Sequence, residues 1–156
     1  MATSGVSTLG IKFGYAVETT AGTRPTSGYT VIPRCNNIGA YSEEQGAIDA
    51  SALEDSEVKY IPGRVDGGGT WPVTFNKTDA VIGALNTMIS AYETAEASSL
   101  GMWFTVYSPY LSTAEFIKGA PPAKLPLSER SQDSLDTIEL NFIVESMEND
   151  TAVEPA

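Results

Sequence analysis

The sequence predicts a mainly β domain, a sandwich or barrel of about seven strands with one flanking helix, and three observations carry that expectation. Residues Thr137 to Glu145 alternate Ile138, Leu140, Phe142 and Val144 with Glu139, Asn141, Ile143 and Glu145, the period of a strand with one face in a core and the other mostly in water. Helical period is convincing only once, where Val81, Ile82, Leu85, Met88, Ile89 and Tyr92 form a single apolar stripe. The segments between the apolar runs are polar and long, above all the acidic stretch 42–57.

Taken in order, Ile11 to Val17 places Ile, Phe, Tyr and Val on one face and reads as a half-buried strand. Glu18 to Gly28 is rich in Thr, Gly and Pro, a turn or arm, and Tyr29 to Ile32 forms a second strand before Pro33. Six acidic residues and no basic one then lie between Ser42 and Val58, namely Glu43, Glu44, Asp49, Glu54, Asp55 and Glu57, so 42–57 reads as a long exposed loop. Val58 to Ile61 and Trp71 to Phe75, joined by the glycine-rich Pro62 to Gly69, are expected to be the two strands of a hairpin or sheet corner. Thr78 is the N-cap of a helix running from about Asp79 to Ala95, its apolar stripe buried against a sheet. Met102 to Tyr107, Ala114 to Lys118 and Thr137 to Glu145 close the chain as strands, with a second long excursion from Gly119 to Asp136. The polar residues 147–156 read as a flexible C-terminal tail.

A chain of 156 residues suits one domain, 1–156, and buries enough surface to fold without a disulfide framework or a metal. Its single cysteine, Cys35, cannot form an internal bridge, which favours a reducing compartment. Neither a basic and apolar leader nor an 18-residue apolar window is present, so neither a signal peptide nor a membrane span is expected. The net charge of −11 is uneven, with +2 over residues 1–41, −6 over 42–58 and −7 over 59–156. That sign repels nucleic acid rather than gripping it, but suits a surface along which DNA slides without sticking.

The absence of histidine removes the usual proton shuttle and the Ser-His and Cys-His nucleophile systems. Cys35 follows Arg34 but has no base, and reads as a packing residue. Adjacent Glu43 and Glu44 cannot be held across a cleft as a glycosidase pair must be. No enzyme is expected. Gly67-Gly68-Gly69 lacks the following Lys-Ser or Lys-Thr of a phosphate cradle and reads as a tight or bulged turn, and the acidic loop lacks EF-hand spacing. No cofactor and no metal are expected. Trp71, Trp103, Tyr107 and Tyr110 could form a sugar-stacking platform, the alternative being that the strand around Trp103 is simply buried. The acidic run could likewise be a solvated loop without a partner.

The run Leu9 to Pro25, then Thr30-Val31-Ile32-Pro33 and Ile38-Gly39, the acidic loop, and Tyr60-Ile61-Pro62-Gly63-Arg64-Val65-Asp66-Gly67-Gly68 resemble the tail tube (major tail) proteins of long, non-contractile-tailed bacteriophages. The resemblance spans most of the first half, and the order of elements agrees throughout. It implies a structural virion protein, assembled in the bacterial host cytoplasm and located in the tail, whose hexameric rings stack into a tube that carries genomic DNA to the host. Its implied partners are copies of itself and the tape measure, tail terminator and tail tip proteins, with DNA only as passing cargo and no membrane. On this resemblance 42–57 is the inter-subunit loop, with Glu43, Glu44, Asp49, Leu53, Glu54 and Asp55 as contact residues. The start Ser4 to Leu9 and the tail from Met147 are candidate arms, and Glu139, Asn141 and Glu145 are candidates for the lumen. The alternatives are a carbohydrate-binding or adhesin-like β-sandwich module and the inner tube protein of a contractile tail or related secretion system.

Overall fold

The computed structural model describes residues 4–66 and 69–156. Nine strands and one helix follow one another among them: β1 (Lys12–Val17), β2 (Thr30–Ile32), β3 (Cys35–Ile38), β4 (Glu44–Asp49), β5 (Tyr60–Asp66), β6 (Thr70–Asn76), α1 (Asp79–Ala97), β7 (Met102–Tyr107), β8 (Thr113–Ala120) and β9 (Thr137–Thr151). The fold is mainly β, as expected. Seven strands form one antiparallel sheet in the order β2-β1-β7-β8-β9-β6-β3, and β4 with β5 forms a separate pair.

Chain connectivity forces that sheet to roll up. β2 and β3 stand at its opposite ends, yet only Pro33 and Arg34 separate Ile32 from Cys35, so those two Cα atoms lie within about 11 Å of each other. Together β2 and β3 act as one bent strand that pairs first with β1 and then with β6 and closes the roll. Arg34 makes the bend in a left-handed backbone conformation, φ 60°, while its carbonyl accepts from the Asn76 amide at 2.9 Å.

The alternating faces predicted for β1 and β9 point into the roll, as do Trp71, Val73 and Phe75 of β6. Phe13 of β1 lies 5.6 to 5.8 Å, centroid to centroid, from Trp71 and Phe75 of β6, Phe104 of β7 and Phe142 of β9, and all five rings are buried. Such aromatic contacts add about 0.5–1.5 kcal/mol each beyond area burial. The helix covers one side of this core. Thr78 Oγ1 accepts from the Val81 amide at 3.2 Å, so the N-cap is as expected, and Val81, Leu85, Met88 and Ile89 are buried in the main cluster, whereas Ile82 and Tyr92 are only half-buried at its border. β6 runs into the helix and β7 leaves it, which puts α1 at one end of the roll. Ile38, Tyr41, Val106 and Met147 surround an open mouth of about 220 Å³ at the other.

Three sequence expectations are corrected. Val58 to Ile61 does not pair with Trp71 to Phe75, because β5 pairs with β4 and β6 pairs with β3 and β9. The acidic stretch 42–57 is therefore not one loop, since its first part is strand β4 and only residues 50–59 connect the pair. Residues 147–156 are not a free tail either: β9 continues to Thr151 against β8, and Ala156 exchanges backbone hydrogen bonds with Tyr29 and Val31, at 2.9 and 3.0 Å. The terminal segment thus runs along the outer edge of β2 and covers it. Arg24 clamps the same region, bonding Glu148 and Asp150 while its guanidinium sits 4.1 Å from the Phe116 ring centroid. Of the three glycines expected to form a turn before β6, Gly67 and Gly68 lie outside the described residues and Gly69 has φ 80°.

Where β8 meets β9 the register shifts between Lys118 and Gly119, and a Cβ on Gly119 would run into the Ile143 carbonyl. Gly119→Ala is therefore expected to lose about 1–3 kcal/mol of unfolding free energy. Leu85→Ala, which opens a cavity under the helix where Leu85 has no exposed surface, is expected to lose about 2–5 kcal/mol. Denaturant unfolding followed by circular dichroism checks both, and an unchanged midpoint for Leu85→Ala would mean that the helix does not carry the core contact described.

Candidate assembly surface

The β4–β5 hairpin leaves the roll at its mouth, between the end of β3 and the start of β6, and its strands pair only with each other. Every residue of β4 and every residue of β5 except Gly63 is exposed. An isolated two-stranded hairpin is at best marginally stable in water. Its six-residue ladder spans about 20 Å, with residues 50–59 beyond it.

Ile48 pairs with Ile61 on one face of the hairpin, and Ala47 with Pro62 and Asp49 with Tyr60 on the other. Between Ala47 and Gln45 the register shifts, with one more residue on β5 than on β4, before Gln45 pairs with Val65 and Glu44 with Asp66. Ile48, Ile61 and Val65 are each more than half exposed, at 52, 51 and 54 %, so the hairpin carries apolar side chains that nothing among the described residues covers. On a two-stranded ribbon this is an unfinished surface.

The tip is well built rather than slack. Asp49 Oδ1 accepts from the Ser51 amide at 2.9 Å, Asp55 Oδ2 from the Ala52 amide at 2.8 Å, and Ser51 Oγ from the Lys59 amide at 2.8 Å. Lys59 Nζ lies 3.2 Å from Asp55 Oδ1, and the Ala50 amide donates to the Lys59 carbonyl. These bonds hold out Leu53 with its whole side chain in solvent. Hydrogen bonds from the Ser51 amide and hydroxyl to the carboxylate lower the Asp49 pKa below its ordinary 3.8.

The residues singled out from sequence for inter-subunit contact therefore fall into two groups. Asp49 and Asp55 shape the turn, whereas Glu43, Glu44, Leu53 and Glu54 are exposed and present their side chains outward. Glu139 and Asn141, two of the three lumen candidates, lie on the outer face of β9 beside a shallow hollow of about 530 Å³ lined also by Thr74, Leu127 and Ser128, where the Glu139 amide donates to Ser128 Oγ. Glu145 is apart from them, 3.5 Å from Lys118 Nζ at the β-bulge. Sequence reasoning missed Ile48, Ile61 and Val65 as exposed apolar residues of one hairpin, because the pairing of β4 with β5 was not expected.

The other expected candidates are structural. Burial pushes the Cys35 thiol up to about 11, away from thiolate chemistry. Trp71 and Trp103 are buried and so offer no stacking platform, while Trp71 Nε1 donates to the Gly39 carbonyl at 2.7 Å. Among the described residues no group of three or more His, Cys, Asp or Glu side chains is placed to hold a metal, and no helix is long and apolar enough to cross a membrane.

Because the folded pKa of Asp49 lies below its unfolded value, its contribution to the tip is complete above about pH 4 and is lost as pH falls through the depressed value. Amide exchange at Ser51, corrected for its intrinsic pH dependence, is expected to quicken over that range, and in Asp49→Ala, which has no acceptor, to be fast at every pH. Unchanged protection would mean that this bond does not organise the turn.

No family model matches the sequence, and no curated protein matches it. Among solved structures the chain is similar in fold to a chain of the anti-feeding prophage baseplate, determined by cryo-electron microscopy with 6-fold symmetry imposed. The TM-score is 0.56 and the identity 11 %, over 97 % of this chain and 98 % of that one.

Proposed function

We propose that this chain is a structural subunit of a phage tail-type particle, and specifically the repeating unit of hexameric rings that stack into a tail tube. The observation that carries the reading is the β4–β5 hairpin, whose Ile48, Ile61 and Val65 and fully exposed Leu53 are left open to solvent by the monomer. Apolar side chains left open on an unpartnered hairpin mark a protein–protein contact. The full-length likeness in fold to a chain of a six-fold symmetrised baseplate supports the same reading. Copies of the chain are its first partners, with the tape measure, terminator and tip proteins beyond them, and no catalytic step is part of the role.

A bore lined by carboxylates passes DNA without holding it. Glu139 and Asn141, on the outer face of β9, are the residues we assign to that bore; Glu145, with Lys118 beside it, contributes less negative potential. The baseplate likeness also favours a second reading, in which the rings form the inner tube of a contractile tail or related secretion system. Electron microscopy of concentrated protein tests the common claim, with rings or tubes expected. Replacing Glu44–Asp66 by a short Gly/Ser linker is expected to leave a folded chain with a cooperative melt that no longer assembles. Tubes from that variant, or a wild-type chain that stays monomeric at every concentration, would refute the proposal.

A further inference from the structure

Charge leaves few places for an acidic hairpin to dock on a copy of its own chain. Of nine basic residues, Lys12, Arg24, Lys59, Lys118 and Arg130 stand in ion pairs. Arg34, Arg64, Lys77 and Lys124 make none among the described residues. Arg64 belongs to the hairpin itself, and Lys124 lies in the long segment beyond β8. Arg34 and Lys77 share one corner, because the amide of Asn76, next to Lys77, donates to the Arg34 carbonyl. Asp136, whose carbonyl accepts from the Lys77 amide at 3.0 Å, has its carboxylate bound to Arg130.

That corner is at the helix end of the roll, where β6 finishes, whereas the hairpin leaves from the mouth end. Arg34 is exposed and held at φ 60°, a conformation that costs an ordinary side chain energy and persists only where the surroundings impose it. At the hairpin tip, Glu54 and Glu57 are exposed and make no ion pair among the described residues, while Asp55 is bound to Lys59. Unpaired acids thus project from one end of the molecule and unpaired cations sit at the other.

We propose that the hairpin tip of one copy docks, through Glu54 and Glu57, on the Arg34–Lys77 corner of the next, making a head-to-tail contact between successive copies. The inference rests on the self-assembling subunit proposed above and names the surface it uses. Tip and corner are different surfaces of one chain, so the contact is heterologous and propagates from copy to copy as a stack. In a chain of net charge −11, opposite charges at this contact also fix which ends meet, since like ends repel.

Charge reversal tests it. Glu54→Lys with Glu57→Lys, and separately Arg34→Asp with Lys77→Glu, are each expected to raise the concentration needed for assembly by on the order of tenfold or more. An equimolar mixture of the two variants should form alternating pairs through the reversed tip and the reversed corner, and the four-residue combination should restore assembly. Lys77→Glu alone, outside the bend, gives the same readout if the Arg34 change disturbs the fold. Reversals without effect, or a combination that stays as defective as its parts, overturn this docking while wild-type assembly still stands. A wild-type chain that never assembles sinks the functional reading and this contact with it.

Discussion

Phe13 is where the rolled sheet closes on itself. Four aromatic rings from three other strands meet it, and two of them belong to β6, which stands four places away from β1 in the sheet. Contacts of that span exist only if β2 and β3 carry the chain straight from one edge of the sheet to the other, as the two-residue link at Pro33 and Arg34 makes them do. Once the roll is closed, its ends become distinct. One is covered by the helix, and the other is an open mouth from which the hairpin departs.

The hairpin stands outside this closed roll. The terminal segment covers the outer edge of β2, and β3 takes β6 as its strand partner. β4 and β5 join no strand of the body and pair with each other in solvent. Their exposed apolar surface would be a liability in a solitary protein. In a repeating assembly it is the surface each copy completes for its neighbour, which is why the unfinished part of the monomer is also the part that points to a function.

Much of this was legible from residues with strong local patterns. β7 was expected over the residues it occupies, the helix differs by two residues at its C-terminus, and the alternation of Ile138, Leu140, Phe142 and Val144 marked the buried face of β9. What was not legible depends on pairing. Glu44 to Asp49 has a glycine and three polar side chains among its six residues and no intrinsic strand preference, and becomes β4 only because β5 lies beside it. The continuation of β9 through Ser146 to Thr151 loses its apolar period because it leaves the core and runs on β8. Of the six contact residues implied by the resemblance, all but Leu53 are acids. Structure shows two of those acids, Asp49 and Asp55, bonded into the turn, and leaves Ile48, Ile61 and Val65 exposed near them, which a count of charges does not reveal.

The central claim is that the hairpin is completed by another copy of the chain, and hydrogen–deuterium exchange across a concentration series measures that most directly. The account predicts that β4 and β5 amides exchange within seconds in dilute monomer, while β6 and β9 are already protected, and that the hairpin becomes as protected as the core once the chain assembles. Hairpin protection that is high in the dilute monomer, or that stays low in assembled material, would contradict it.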